Sequence, residues 1–127
     1  MYKMTTTDLI WNRACDGGGS NPHAGDHALS ALLTAHGLTM NGGVLHAVEC
    51  LTSAERSAAQ SGYRFFGLDA VADLLAQARR VFEADDDLES QESLLDRQYA
   101  ALVPSDSSLA ERFEKRWREN PSDFAPV

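Results

Sequence analysis

The sequence predicts an all-α fold, with residues 1–127 forming a single compact multi-helix domain of about six or seven helices. Three observations predict it. Apolar residues recur at helical intervals, no segment alternates apolar with polar side chains as a half-buried strand would, and hydroxyl–carboxylate capping boxes stand at helix starts. Strand formers are sparse, since Ile10 is the sole isoleucine and the valines are scattered. A chain of 127 residues buries about two-thirds of its unfolded surface, enough for its own core.

In chain order, Asp8 to Ala14 is a short first helix, followed by Asp16-Gly17-Gly18-Gly19-Ser20-Asn21-Pro22 within a Gly-rich flexible loop over 16–25. Asp26 then caps a second helix in which Leu29, Leu32, Leu33 and His36 share helical spacing up to Gly37. Asn41-Gly42-Gly43 reads as a tight turn, and Val44, Leu45, Val48 and Leu51 as a third helix. The box Thr52-Ser53-Ala54-Glu55 opens a fourth. Leu68, Val71, Leu74, Leu75, Ala78 and Phe82 give the clearest apolar face in the chain. A helix from about Leu88 to Val103 buries Leu88, Leu95, Tyr99 and Leu102, which turns Glu89, Glu92 and Asp96 towards solvent. Ser108-Leu109-Ala110-Glu111 reads as a second capping box, opening a last helix that Asn120-Pro121 stops.

Nineteen acids against eleven Lys plus Arg leave a formal charge of −8. Nucleic acid and anionic membranes demand a cationic face, so neither is expected as a direct partner; a basic protein is. Cys15 and Cys50 are too few for a disulfide framework. No apolar secretory segment or membrane-length run is present, which sets the expectation of a cytoplasmic protein.

Four constellations invite a chemical reading. Gly17-Gly18-Gly19-Ser20 lacks the preceding strand and the terminal Gly-Lys-Ser/Thr of a phosphate loop, so a linker explains it. His23 and His27, with Asp26 between them and Cys15 and Asp16 upstream, fall partly in a loop and partly on a helix; no metal site is expected there. His46 and Cys50 at i and i+4 bring an imidazole near a thiol, with Glu49 adjacent, although Cys50 is expected to face the core. Trp11, Trp117, Tyr63, Phe65, Phe66 and Phe82 lack the interleaved cations of a base-stacking platform and are assigned to packing. No catalytic residue and no cofactor is expected.

The strongest signal is electrostatic. Glu83, Asp85, Asp86, Asp87, Glu89, Glu92 and Asp96 follow one another with no Lys or Arg between them. Such crowding costs free energy in a compact state unless solvent or a partner relieves it.

Asn41-Gly42-Gly43, then Gly67-Leu68-Asp69-Ala70-Val71, then Leu95-Asp96-Arg97-Gln98-Tyr99, then Asn120-Pro121-Ser122-Asp123-Phe124, taken in that order over residues 38 to 124, resemble the DNA-mimic protein family, a family also known as a domain of unknown function. The resemblance implies an all-helical fold and a dimer whose carboxylates imitate DNA phosphates and occupy a DNA-binding protein. One departure stands out: aromatic residues usually follow the family's turn, where this chain has Val44, Leu45, His46, Ala47 and Val48. The expected function is a non-enzymatic acidic interaction domain, a DNA mimic that binds a basic DNA-binding protein or repressor. The partner-binding residues are then Asp85, Asp86, Asp87, Glu89, Glu92 and Asp96, with a homodimer as the assembly. The alternatives are an antitoxin or immunity protein blocking a basic toxin, or a small metal or thiol enzyme using His46 and Cys50.

Overall fold

The computed structural model describes residues 3–84 and 87–127. Among them the secondary structure is helical throughout: α1 (Thr6–Cys15), α2 (Ala24–Gly42), α3 (Val44–Cys50), α4 (Ser53–Phe65), α5 (Asp69–Ala84), α6 (Leu88–Leu102), α7 (Asp106–Glu119) and a 3₁₀ turn (Pro121–Asp123). The all-α expectation therefore holds. α2 is the central helix, packed against α1, α3 and α4, while α5 lies against α3, α4 and α6. One buried apolar cluster includes Ile10, Leu29, Leu32, Val48, Tyr63, Val71, Leu75, Leu95, Leu109 and Phe113, and so draws on every α-helix.

Helix ends account for most differences from the sequence reading. α2 starts earlier than expected because His23, and not Asp26, is the N-cap; Asp26 is the third helical residue and reaches back to accept from His23 N at 2.9 Å. Ala24 and Gly25, placed by the sequence in the glycine loop, already belong to α2. The helix also runs through Gly37, because Ala35, His36 and Thr39 on either side are buried and outweigh the roughly 1 kcal/mol that an interior glycine costs. Asn41 and Gly42 stay helical, and the expected turn shrinks to Gly43 at φ 95°.

The capping box of Thr52 and Glu55 forms, with Glu55 N donating to the Thr52 hydroxyl at 3.2 Å and Thr52 N to Glu55 at 2.9 Å. Those bonds hold the Glu55 carboxyl below its usual range. The second box does not form. α7 begins earlier, at Asp106, and the Ser108 hydroxyl instead donates to Ser105 O at 2.6 Å.

The glycine run is a helix stop. Gly18 N donates to Arg13 O and Gly17 N to Ala14 O, the paired bonds that close a helix through a left-handed residue. Gly67, at φ 77°, ends α4 identically, with Leu68 N donating to Tyr63 O and Gly67 N to Arg64 O.

α2 and α4 cross at backbone contact. A Cβ on Gly62 would stand 2.5 Å from Ala28 O and 3.4 Å from Leu32 N, so nothing larger than hydrogen fits. Gly62→Ala is expected to lower stability by about 1–3 kcal/mol despite alanine's better helix propensity. Urea denaturation followed by circular dichroism checks it; an unchanged or raised midpoint would contradict the crossing.

Candidate protein-interaction site

α6 carries the acids, and its second half fixes the helix on the body. Leu95 and Tyr99 are buried, and the Tyr99 hydroxyl lies 2.7 Å from both His36 Nδ1 and the Tyr63 hydroxyl. His36 Nε2 in turn lies 2.7 Å from Asp106. The network assigns its own protons. Among the described residues the Tyr63 hydroxyl has no other acceptor, so it donates to Tyr99, Tyr99 donates to His36 Nδ1, and Nε2–H donates to the Asp106 carboxylate. Burial pushes both phenols up, Tyr63 far up and Tyr99 to about 12.

Asp96 belongs to this anchored half. It is half-buried and accepts from Val44 N at 2.9 Å, capping α3 from a residue 52 positions away. Gly43 makes this approach feasible, because a Cβ there would stand 2.9 Å from the Asp96 carboxylate. The sequence placed Asp96 on a solvent face with Glu89 and Glu92; its carboxylate is instead spent on a helix start. Glu83 is also engaged, accepting from Arg79 Nε at 2.7 Å.

The first turns of α6 differ. Asp87, Glu89 and Glu92 are exposed and make no side-chain hydrogen bond or ion pair among the described residues. Asp87 precedes the helix in the left-handed region, φ 52° and ψ 43°, a conformation that Asp tolerates better than most side chains. In that conformation it makes no side-chain cap bond, which leaves the carboxylate to solvent. Asp85 and Asp86 lie outside the described residues. Asp87, Glu89 and Glu92 thus remain exposed within about 7.5 Å of helix rise, while Asp96 is set apart from them by role.

The other candidate chemistries resolve into structure. Cys50 is exposed, against the expectation that it faces the core, because Val44, Leu45, Ala47 and Val48 take the buried side of α3. Its sulfur lies 3.7 Å from both ring nitrogens of His46, beside the imidazole. Partial burial, and then the neighbouring Asp16 carboxylate, push the Cys15 thiol up. The His23 ring contacts Ser122 O at 3.0 Å, whereas His27 lines a separate cavity with Ser30 and Thr34. Among the described residues no group of three or more His, Cys, Asp or Glu could hold a metal ion, and no helix is long and apolar enough to cross a membrane. Phe65, Phe66, Tyr63 and Trp117 pack in or against the core, where Phe66, Phe113 and Phe124 form a ring cluster.

Sequence reasoning missed the buried acid Asp26. It receives Arg13 Nη2 at 2.9 Å, His23 N at 2.9 Å and Ala125 N at 2.8 Å, and so joins α1, α2 and the C-terminal segment. Its position three residues after a helix start was the available signal, since an acid there can reach back to the cap.

The segments that carried the family resemblance meet in these devices: Gly43 against Asp96, Gly67 at the end of α4, and Phe124 in the ring cluster. No curated protein and no solved structure matches the chain. The family profile of DMP19-like protein matches residues 22–125. With most of its length inside that match, and with its diagnostic residues building the helix junctions just described, the chain belongs to the DMP19-like (DNA mimic protein 19-like) family.

Proposed function

We propose that this protein is a non-enzymatic DNA mimic that occupies the DNA-contacting surface of a basic DNA-binding protein in the cytoplasm. Family membership supports the role, and one observation supports its location: Asp87, Glu89 and Glu92 are exposed carboxylates that no residue of the described chain neutralises. Three charges over about 7.5 Å approach the four or so that duplex DNA presents over the same distance. Asp85 and Asp86, next in sequence, add two further acidic residues, and a two-fold partner would double the number. Asp96 contributes through the electric field and not by contact, because its carboxylate is bound to Val44 N.

The test is capture of DNA-binding proteins from lysate at low and high salt, followed by titration of the captured species. Affinity is expected to fall about tenfold or more between 50 and 200 mM salt, since charge complementarity of this kind is screened. Glu89→Lys with Glu92→Lys is expected to abolish capture at low salt while leaving the helical circular dichroism unchanged. If no DNA-binding protein is retained, or if the charge reversal leaves capture intact, the assignment fails.

A further inference from the structure

A second charged feature lies at the other end of α5, and its sign is opposite. A cavity of about 250 Å³ between the end of α4 and α7 is lined by Arg64, Phe65, Gly67, Arg112, Lys115 and Arg116, together with the carboxylate-bearing Glu119. Arg112, Lys115, Arg116 and Glu119 fall at i, i+3, i+4 and i+7, so one face of α7 presents all four. Along the chain, the 16 residues of α5, about 24 Å of helix rise, stand between Gly67 and the unneutralised acids.

We propose that this cleft is a binding site for a small phosphate-bearing dianion. Two of its guanidinium groups are held from behind. Arg116 donates from Nε to Asp123 at 3.0 Å and stacks on the Phe65 ring at 4.2 Å, and its two terminal amino groups have no hydrogen-bond partner among the described residues. Arg64 donates to Asp73 at 2.6 Å. Those carboxylates balance the charge of the arginines they orient and Glu119 partly balances Lys115, so the uncommitted charge comes chiefly from Arg112. Arg112 has no hydrogen bond or ion pair among the described residues, and Lys115 reaches Glu119 only at 3.9 Å. Gly67 keeps the floor open, because a Cβ there would stand 3.4 Å from Arg112 Nη1. Oriented guanidinium forks beside a mobile ammonium match the geometry and charge of a phosphate group better than those of a monocarboxylate. The cavity has room for that head group and a small body, and is too small for a nucleic-acid strand.

Calorimetric titration of the full chain with inorganic phosphate, and separately with a phosphate monoester, at fixed ionic strength and against acetate, tests the site. Saturable binding of either phosphate species is expected, weakened about tenfold or more by Arg112→Ala, the cost of one charge-assisted hydrogen bond. Tighter binding of the monoester would assign the source to an organic phosphate, and equal binding to free phosphate. Amide shifts in nuclear magnetic resonance should map to residues 64–67 and 112–116. Arg112 makes no contact that the fold needs, so its removal should leave thermal stability unchanged. The absence of saturable binding, shifts confined to other elements, or an affinity unaltered by Arg112→Ala together with Lys115→Gln would overturn the proposal.

Discussion

Asp26→Ala is expected to cost about 3–5 kcal/mol, the range found when one member of a buried ion pair is removed. The carboxylate is completely buried, and both oxygens are in use: Oδ1 takes Arg13, while Oδ2 takes two backbone amides, His23 N and Ala125 N. Truncation would leave two amides unpaired and a guanidinium with only the carbonyls of Ala125 and Pro126 for company. Arg13 Nε is already buried with no hydrogen-bond partner among the described residues. Chemical denaturation should show the loss, and limited proteolysis should show new cleavage after Asn120 as the C-terminal segment detaches. A loss below about 1 kcal/mol would mean that water replaces the carboxylate without penalty.

Tyr99→Phe is expected to cost about 2–5 kcal/mol, because the central hydroxyl of the Tyr63–Tyr99–His36 chain serves two buried groups at once. Its removal strands the Tyr63 hydroxyl, which is fully buried, and His36 Nδ1. Tyr63→Phe removes only a terminal donor and should cost about 1 kcal/mol. The double variant should then be less damaging than the two single losses added, since no stranded Tyr63 hydroxyl remains. Equal costs for the two single variants would contradict the proton order assigned above. The same pair gives an alkaline signature. Both phenols are raised above the ordinary value, so their contribution is intact below about pH 10 and drains away as pH climbs through 10 towards 12. Tyrosinate absorbance should therefore rise together with loss of ellipticity, and the Tyr99→Phe variant should unfold at lower pH.

Periodicity made the helices legible because burial here is one-sided: Leu68 to Phe82 shows its apolar stripe whatever it packs against. Helix ends were less legible wherever the deciding partner is remote. No local pattern reveals that Asp96 caps α3 across 52 residues, or that Phe124 inserts beside Phe66 and Phe113. Ser108 had the right neighbour in Glu111, yet α7 had already started at Asp106, with Ser105 as the cap. The acidic strip was legible as a run of charge, but not as separate fates. Glu83 finds Arg79 and Asp96 finds a backbone amide, and only coordinates distinguish these from Glu89 and Glu92. Family membership was legible for a related reason. Its marks are glycines and a tail aromatic that build the scaffold, so they bear on the fold and not on the interaction surface.

The bonds from Asp26 to Ala125 and from Arg13 to Pro126 span 99 and 113 residues, so they impose an order on biosynthesis. At elongation rates of about 5–20 residues per second, Asp26 leaves the peptidyl-transferase centre roughly 5–20 seconds before the amide that completes its coordination. Throughout that interval the joint between the first two helices stays hydrated and unlatched. The nascent chain therefore closes this joint only after Ala125 and Pro126 have been added.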